Sequence, residues 1–169
     1  MGLEDFSAVL RPLETLRFSE VEAELLQSGF VKTAVLPNIL PHQVTYILSD
    51  PNKIIEALLK QNSQDSNLMD YLSLRFSICQ PPVATKSFLD IITKLVEKYQ
   101  FYVDNVVPEK VYLRESMHDE FPSVVIQEVR KAKSRWSKIF EDDSEEVVMT
   151  VADTWNYFRE KHPKVFVKH

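Results

Sequence analysis

The chain contains 169 residues, of which 44% are hydrophobic and 27% are charged, and its formal net charge is −5. These fractions are typical of a globular protein, and this length suits one well-packed domain better than two. Proteins that coat nucleic acids carry basic surfaces, so the negative charge ranks that function class low. We therefore expect one domain over residues 1–169.

The single cysteine, Cys79, excludes an intramolecular disulfide and a zinc site built on several cysteines. The first residues lack the basic head and apolar core of a secretory signal. No apolar run reaches the roughly 18–20 residues that a membrane helix requires. We therefore expect a soluble, cytoplasmic protein.

In chain order, the first predicted element is a short helical turn that ends near Pro12, indicated by Leu3, Phe6, Val9 and Leu10. A helix over about 20–27 follows, because Ser19 and Glu22 have the spacing of a capping box. Gly29 fits the left-handed position just after the end of that helix.

Two β-type runs, 30–36 and 44–49, are separated by a loop with two prolines, and together they predict a hairpin. Asp50 and Pro51 then have the character of an N-cap and a first-turn proline, which predicts a second helix. Its apolar stripe comprises Ile54, Ile55, Leu58 and Leu59. The polar residues 61–67 predict a loop after it.

Residues 68–79 alternate with a period of two, which predicts a strand with one buried face and one polar face. The apolar set comprises Leu72, Leu74, Phe76 and Ile78, and the polar set comprises Tyr71, Ser73, Arg75 and Ser77. Pro81 and Pro82 end this strand, and Thr85 is a candidate cap for the helix that follows. The apolar stripe of that helix comprises Phe88, Ile91, Ile92, Leu95, Val96 and Tyr99.

Two further strands are predicted at 100–104 and 110–114, followed by two C-terminal helices, one after Asp119 and one over about 145–161. The stripes of these two helices include Trp136 and Trp155, so both tryptophans are expected in the core. The order of elements predicts an α+β fold with a mixed or mainly antiparallel sheet of about four to five strands. The helices should pack largely on one face, with a C-terminal helix pair.

Catalytic and metal-binding signals are weak. Cys79, His118 and Asp119 have the side-chain types of a thiol nucleophile, its base and an orienting acid, but Cys79 follows an apolar strand, as a small buried residue does. The densest group of metal-ligand types, Glu115, His118, Asp119 and Glu120, matches no known ligand spacing, and its acids suit a helix start. Because glycine-rich phosphate-binding motifs are also missing, no catalytic residue, metal or cofactor is predicted.

A basic run surrounds Trp136 and comprises Arg130, Lys131, Lys133, Arg135 and Lys138. Nucleic-acid grooves combine cations and aromatic rings in this way. Trp136, however, lies on the apolar stripe of its helix, so we interpret the cations as a solvated helix face.

Two surfaces are candidates for binding a protein partner. Tyr71, Ser73 and Arg75 would project from one side of the sheet, and tyrosine and arginine are favoured at interfaces. The second candidate is an acidic run that either attracts a basic partner or stabilises the start of the last helix; it comprises Glu141, Asp142, Asp143, Glu145 and Glu146.

The leading hypothesis is therefore a non-catalytic protein-binding module. An acidic α+β domain without catalytic motifs is similar in general character to bacterial immunity proteins, which cover the active surface of a toxin. That similarity implies an inhibitor that masks a basic partner through an acidic or aromatic surface. The alternative is a small-ligand-binding protein or an enzyme with a site assembled from scattered polar residues, namely Tyr71, Arg75, Arg114 and His118.

Overall fold

The computed structural model describes residues 5–33, 42–78, 80–106 and 109–140. The strands are β1 (Asp5–Pro12), β2 (Val31–Lys32), β3 (Gln43–Asp50), β4 (Lys53–Gln61), β5 (Met69–Ser77), β6 (Phe101–Val106) and β7 (Glu109–Tyr112). The helices are α1 (Phe18–Gln27), α2 (Pro82–Tyr99) and α3 (Glu120–Phe140), with a 3-10 helix at Arg114–His118 between β7 and α3.

The described strands form one sheet in the order β2-β3-β4-β5-β1-β6-β7, and every neighbouring pair is antiparallel. The predicted α+β class is confirmed, and the sheet is antiparallel. The predicted number of four to five strands was too low, because the described part of the chain contains seven. The two missing strands are β1 and β4, which the sequence pattern had assigned to helices.

The hydrophobic core lies between one face of the sheet and the three helices. Side chains at alternate strand positions point to the same face, and on this sheet they line up across strands, as in Ala57 opposite Leu74 and Leu74 opposite Ala8. Apolar residues of all three helices join them in one cluster, among them Leu25 of α1, Phe88 of α2 and Phe121 of α3. We call this side of the sheet the covered face.

The N-terminal prediction was wrong, because residues 5–12 form a central strand rather than a helical turn. Phe6, Ala8 and Leu10 alternate as buried residues, and β1 pairs with β5 on one side and β6 on the other. The helical interpretation depended on counting Leu3 and Val9 in one stripe. In the structure Val9 points to the opposite face from Leu10, and residues 1–4 lie outside the described residues.

The helix predicted after Asp50 was also wrong. Residues 51 and 52 form the turn of a tight hairpin, in which Asp50 pairs with Lys53 and the Asp50 carboxylate accepts a hydrogen bond from the Asn52 amide at 2.8 Å. Aspartate favours such turns as well as helix caps, because both use its carboxylate as an acceptor for a nearby amide. The strand β4 that follows places Ile55 and Leu59 on the covered face and Leu58 on the other.

Two predicted helix caps are not used. Helix α1 begins at Phe18 with Arg17 before it, so Ser19 lies inside the helix and the capping box does not form. Helix α2 begins at Pro82, in the first-turn position that costs no hydrogen bond, so Thr85 is likewise internal. Gly29 does follow the end of α1 with a φ of +91°, as predicted.

The other described elements agree with the sequence analysis. Strand β5 alternates between buried and partly exposed residues from Tyr71 to Phe76, but Ser77, which was predicted on the polar face, is buried at the end of the strand. Strands β2 and β3 pair as a hairpin, and β6 and β7 lie within a residue or two of their predicted bounds. The apolar stripe of α2 packs on the core. Residues 34–41, Cys79, the side chain of Trp136 and the last predicted helix, with Trp155, lie outside the described residues.

Candidate interaction surface

The second face of the sheet carries the polar residues that the sequence singled out on β5. Tyr71, Ser73 and Arg75 alternate with the buried Leu72, Leu74 and Phe76, so they project away from the core. Neighbouring strands continue this surface, which we call the open face. It comprises Gln43, Thr45 and Ile47 of β3, Glu56, Leu58 and Lys60 of β4, Tyr71, Ser73 and Arg75 of β5, Ser7, Val9 and Arg11 of β1, and Tyr102 and Asp104 of β6.

The three described helices pack on the covered face. Their buried apolar residues belong to the same cluster as Leu72, Leu74 and Phe76, with Phe88 of α2 lying 4.7 Å from Phe76 between ring centroids. Among the described residues, no helix packs over Tyr71, Ser73 and Arg75. An antiparallel sheet is suited to this arrangement, because its strands need only one apolar face.

Arg75 is fixed on the open face by the residue directly opposite it. Glu56 of β4 faces Arg75 in the register, and its Oε2 atom lies 2.6 Å from both Nε and Nη2 of the guanidinium. The glutamate side chain is 15% exposed and the arginine side chain 38%. The guanidinium is therefore held in one position while part of it stays accessible to a partner.

A second polar group lies around Tyr71. The guanidinium carbon of Arg11 lies 5.4 Å from the centre of the Tyr71 ring, and its Nε donates to Asp104 at 3.1 Å. Gln43 donates to the Tyr71 hydroxyl at 3.5 Å. Tyr71 of β5 is therefore contacted by one residue of β3 and one of β1, and Arg11 extends this polar group to Asp104 of β6.

Between these two polar groups runs a row of smaller and apolar side chains. The register places Leu58 opposite Ser73, Ser73 opposite Val9 and Val9 opposite Asp104. Leu58, Ser73 and Val9 are each partly buried by their neighbours. The open face thus combines an apolar centre with arginine and tyrosine at its sides, which is the usual composition of a protein interface.

The residues of the alternative site do not come together. Tyr71 and Arg75 lie on the open face, whereas His118 lies 2.9 Å from Glu97 of α2 on the opposite side of the sheet. Arg114 is the exposed first residue of the 3-10 helix that ends at His118. One ligand could not contact both pairs through the sheet.

The other candidate residues are placed as follows. Asp119 precedes α3 and its carboxylate accepts from the Glu120 amide, while Glu120 contacts Lys110. Within the described ranges, no three metal-ligand side chains gather into a site. The acidic run at 141–146 and Cys79 lie outside the described residues.

A groove of about 740 Å³ runs between α2 and α3. Its lining residues recur at every third or fourth position from Pro82 to Glu97 on α2 and from Pro122 to Lys133 on α3, so one stripe of each helix faces it. Its apolar part includes Leu89, Met117, Ile126 and Val129. The groove lies on the helix side of the sheet, away from Tyr71 and Arg75.

The basic run of α3 is only in part a solvated face. Arg130, Lys131, Arg135 and Lys138 are exposed, and Lys131 contacts Glu128 at 2.8 Å. Lys133 is only 7% exposed, and together with Arg130 it lines the groove between α2 and α3.

Helix α1 is attached to α2 through a buried carboxylate. Glu24 is 3% exposed, and its two oxygens contact Lys94, at 2.6 Å, and Lys98. Hydrogen bonds from Lys94 and Lys98 hold the pKa of Glu24 below its usual value, although burial opposes this. These ion pairs join α1 to α2 on the covered face.

Sequence reasoning missed the part of the open face contributed by β1 and β4. Arg11 and Glu56 were not recognised, because their segments had been assigned to helices. The alternation of Phe6, Ala8 and Leu10 was the signal that could have identified β1.

No helix in residues 5–33, 42–78, 80–106 or 109–140 is both long and apolar enough to cross a membrane. Comparison of the chain with protein-family models, curated proteins and solved structures found no match.

Proposed function

We propose that this protein is a non-catalytic binding module that contacts a protein partner through the open face of its sheet. The observation that carries the proposal is the placement of all three described helices on the other face. Tyr71 and Arg75 are held in position by contacts within the sheet, so a partner would bind them without ordering mobile side chains first.

The partner that fits this surface is a protein with a flat face and a small apolar centre. Leu58 and Val9 would be buried at the middle of the interface, with the arginine–carboxylate pairs at its sides. The net charge of −5 favours association with a basic protein, since opposite charges speed encounter. An inhibitor of the immunity type, which masks a basic partner, is the specific form of this proposal.

The experiment compares the same substitution, arginine to serine, at two positions. Arg75→Ser removes a cation from the open face, and Arg114→Ser removes an exposed cation from the 3-10 helix. Wild-type and variant proteins are used to capture partners from cells, and the affinity of the captured partner is then measured by calorimetry. We expect Arg75→Ser, and also Tyr71→Ala, to weaken binding at least about tenfold, as interface hot spots do.

Arg114→Ser should leave the affinity within about twofold, as expected for a charge outside the interface. Equal binding by wild type, Arg75→Ser and Tyr71→Ala would contradict the proposed surface. Loss of binding with Arg114→Ser alone would indicate that the partner contacts the 3-10 helix rather than the open face.

The alternative function, a small-ligand-binding protein or an enzyme, has less support. Its four candidate residues lie on two sides of the sheet, and only His118 lines the groove between α2 and α3. A small ligand that slows hydrogen exchange in the helices lining the groove, but not in β5 around Tyr71 and Arg75, would favour this alternative.

A further inference from the structure

The groove between α2 and α3 has the size and the apolar lining of a small-molecule site. Its volume of about 740 Å³ lies within the range of such sites, roughly 300–1,000 Å³. Leu89, Ile126 and Val129 are among its apolar side chains, and Ile126 is 39% exposed although it is a large aliphatic residue. The groove therefore offers an apolar surface to a molecule that enters it.

The charge of the groove lining is opposite in sign to that of the whole chain. The lining includes four cations and two carboxylates, namely Lys86, Lys94, Arg130, Lys133, Asp90 and Glu97. The chain carries a net charge of −5. A locally positive groove in an acidic protein favours an anionic ligand, because the groove attracts anions that the rest of the surface repels.

One end of the groove already has its charged groups paired. Glu97, near the end of α2, lies 2.9 Å from His118, which precedes α3. Lys94 contacts the buried carboxylate of Glu24 at 2.6 Å. These pairs leave little charge at this end for a ligand to bind.

The other end of the groove carries the available cations. Because the contact between Glu97 and His118 places the end of α2 beside the start of α3, Lys86 and Arg130 lie toward the opposite end. Within the part of the chain that the structure describes, neither has a carboxylate at ion-pair distance. The remaining carboxylate of the lining, Asp90, can balance only one of the two.

Apolar and cationic lining residues lie next to one another at this end. Leu89 is three residues after Lys86 on α2, and Ile126 is four residues before Arg130 on α3, so each cation is one helical turn from an apolar side chain. Arginine and lysine bind carboxylates and phosphates through charge-assisted hydrogen bonds. The arrangement fits a ligand with an anionic head and an apolar body.

We propose that the groove between α2 and α3 binds a small amphipathic anion. Its carboxylate or phosphate head lies between Lys86 and Arg130, and its hydrocarbon body lies against Leu89, Ile126 and Val129. This inference is independent of the proposed function, because it concerns the helix side of the sheet and leaves the open face available.

The test uses the full chain and three probes with eight-carbon chains: octanoate, octyl phosphate and octanol. Calorimetry below the micelle concentration measures the affinity of each probe, and hydrogen exchange followed by mass spectrometry locates it. We expect the two anions to bind at least about tenfold more tightly than octanol, since only they have a charged head group. They should slow exchange in α2 and α3 but not in β5.

Two double variants separate the groove from the charge of the whole protein. Lys86→Gln with Arg130→Gln should weaken octanoate binding at least about tenfold and leave octanol binding within about twofold. Lys131→Gln with Arg114→Gln removes the same two side-chain types at exposed positions outside the groove, and should leave both affinities within about twofold. All four positions are exposed, so both variants should fold like the wild type.

Equal affinities of octanoate and octanol for the wild type would overturn the proposal, as would no measurable binding of either anion. Equal weakening of octanoate by the two double variants would also overturn it, because the effect would then come from net charge. So would slower exchange in β5 instead of the helices, which would place the probe on the open face. Tighter binding of octanoate or of octyl phosphate supports the site in either case and identifies the head group that it prefers.

Discussion

The two faces of the sheet use the same strands for opposite purposes. On the covered face, residues such as Leu59 and Leu74 are fully buried and belong to the same apolar cluster as residues of the three described helices. On the open face, their immediate neighbours Leu58 and Arg75 contact mainly residues of adjacent strands. Because successive side chains of a strand point to opposite faces, alternate residues of one strand can stabilise the core while the residues between them remain available for binding.

The largest expected effect comes from two adjacent leucines of β4. Leu59→Ala should reduce the free energy of unfolding by about 2–5 kcal/mol, because it removes buried methyl groups and leaves a cavity. Leu58→Ala should cost about 1 kcal/mol or less, as expected of a partly exposed residue. Urea unfolding followed by circular dichroism measures both values.

Equal losses for the two leucines would mean that both faces are buried to the same extent. The open face would then be unavailable to a partner, and the proposed function would lose its main support. A large loss of unfolding free energy for Leu59→Ala, with almost none for Leu58→Ala, would support a buried covered face and an accessible open face.

An intermediate effect is expected for the carboxylate on the helix side. Glu24→Gln should reduce the free energy of unfolding by about 1–3 kcal/mol at neutral pH, since hydrogen bonds from charged donors are lost in a buried position. The folded pKa of Glu24 lies below its unfolded value. Its contribution is therefore complete above the unfolded pKa, about 4.3, and is lost as the pH falls through the folded pKa.

The measurement is the difference in unfolding free energy between wild type and Glu24→Gln as a function of pH. It should stay constant from neutral pH to about pH 5 and shrink below that, near the usual glutamate range. A difference that grows on acidification would contradict the lowered pKa.

A smaller effect concerns the backbone that follows α1. Gly29→Ala should cost about 1–2 kcal/mol, because φ is +91° there and a side chain disfavours the left-handed region. Crowding contributes little, since an added Cβ would lie 3.4 Å from Leu48 Cδ1, an ordinary contact. Gly29→Asn is the matched control and should cost less, because asparagine tolerates positive φ better; equal losses would indicate a steric cause.

The smallest expected effect is on the open face itself. Arg75→Ser should change the free energy of unfolding by about 1 kcal/mol or less, as for other partly exposed ion pairs. A double-mutant cycle with Glu56→Ser measures the coupling between the two side chains. A much larger coupling would give the pair a structural role and weaken its assignment to partner binding.

Sequence patterns predicted the elements whose periodicity was unambiguous. The stripe of α2 and the alternation of β5 extend over many residues, so each fits only one kind of element. Strand β4 was different, since Ile54, Ile55, Leu58 and Leu59 fit a helical stripe, and glutamate, alanine, leucine and lysine also favour helices. Its hydrogen bonds with β3 and β5 overrode that local preference.

By itself, the sequence determined the α+β class, the polar face of β5, the antiparallel hairpin of β2 and β3 and the left-handed turn at Gly29. These features depend on side chains close together along the chain. Only the tertiary structure decided that β1 and β4 are strands, that Arg11 contacts Tyr71, and that Glu56 faces Arg75. A strand is stabilised by partners far away in sequence, so local periodicity cannot specify which strands pair or which side chains meet across them.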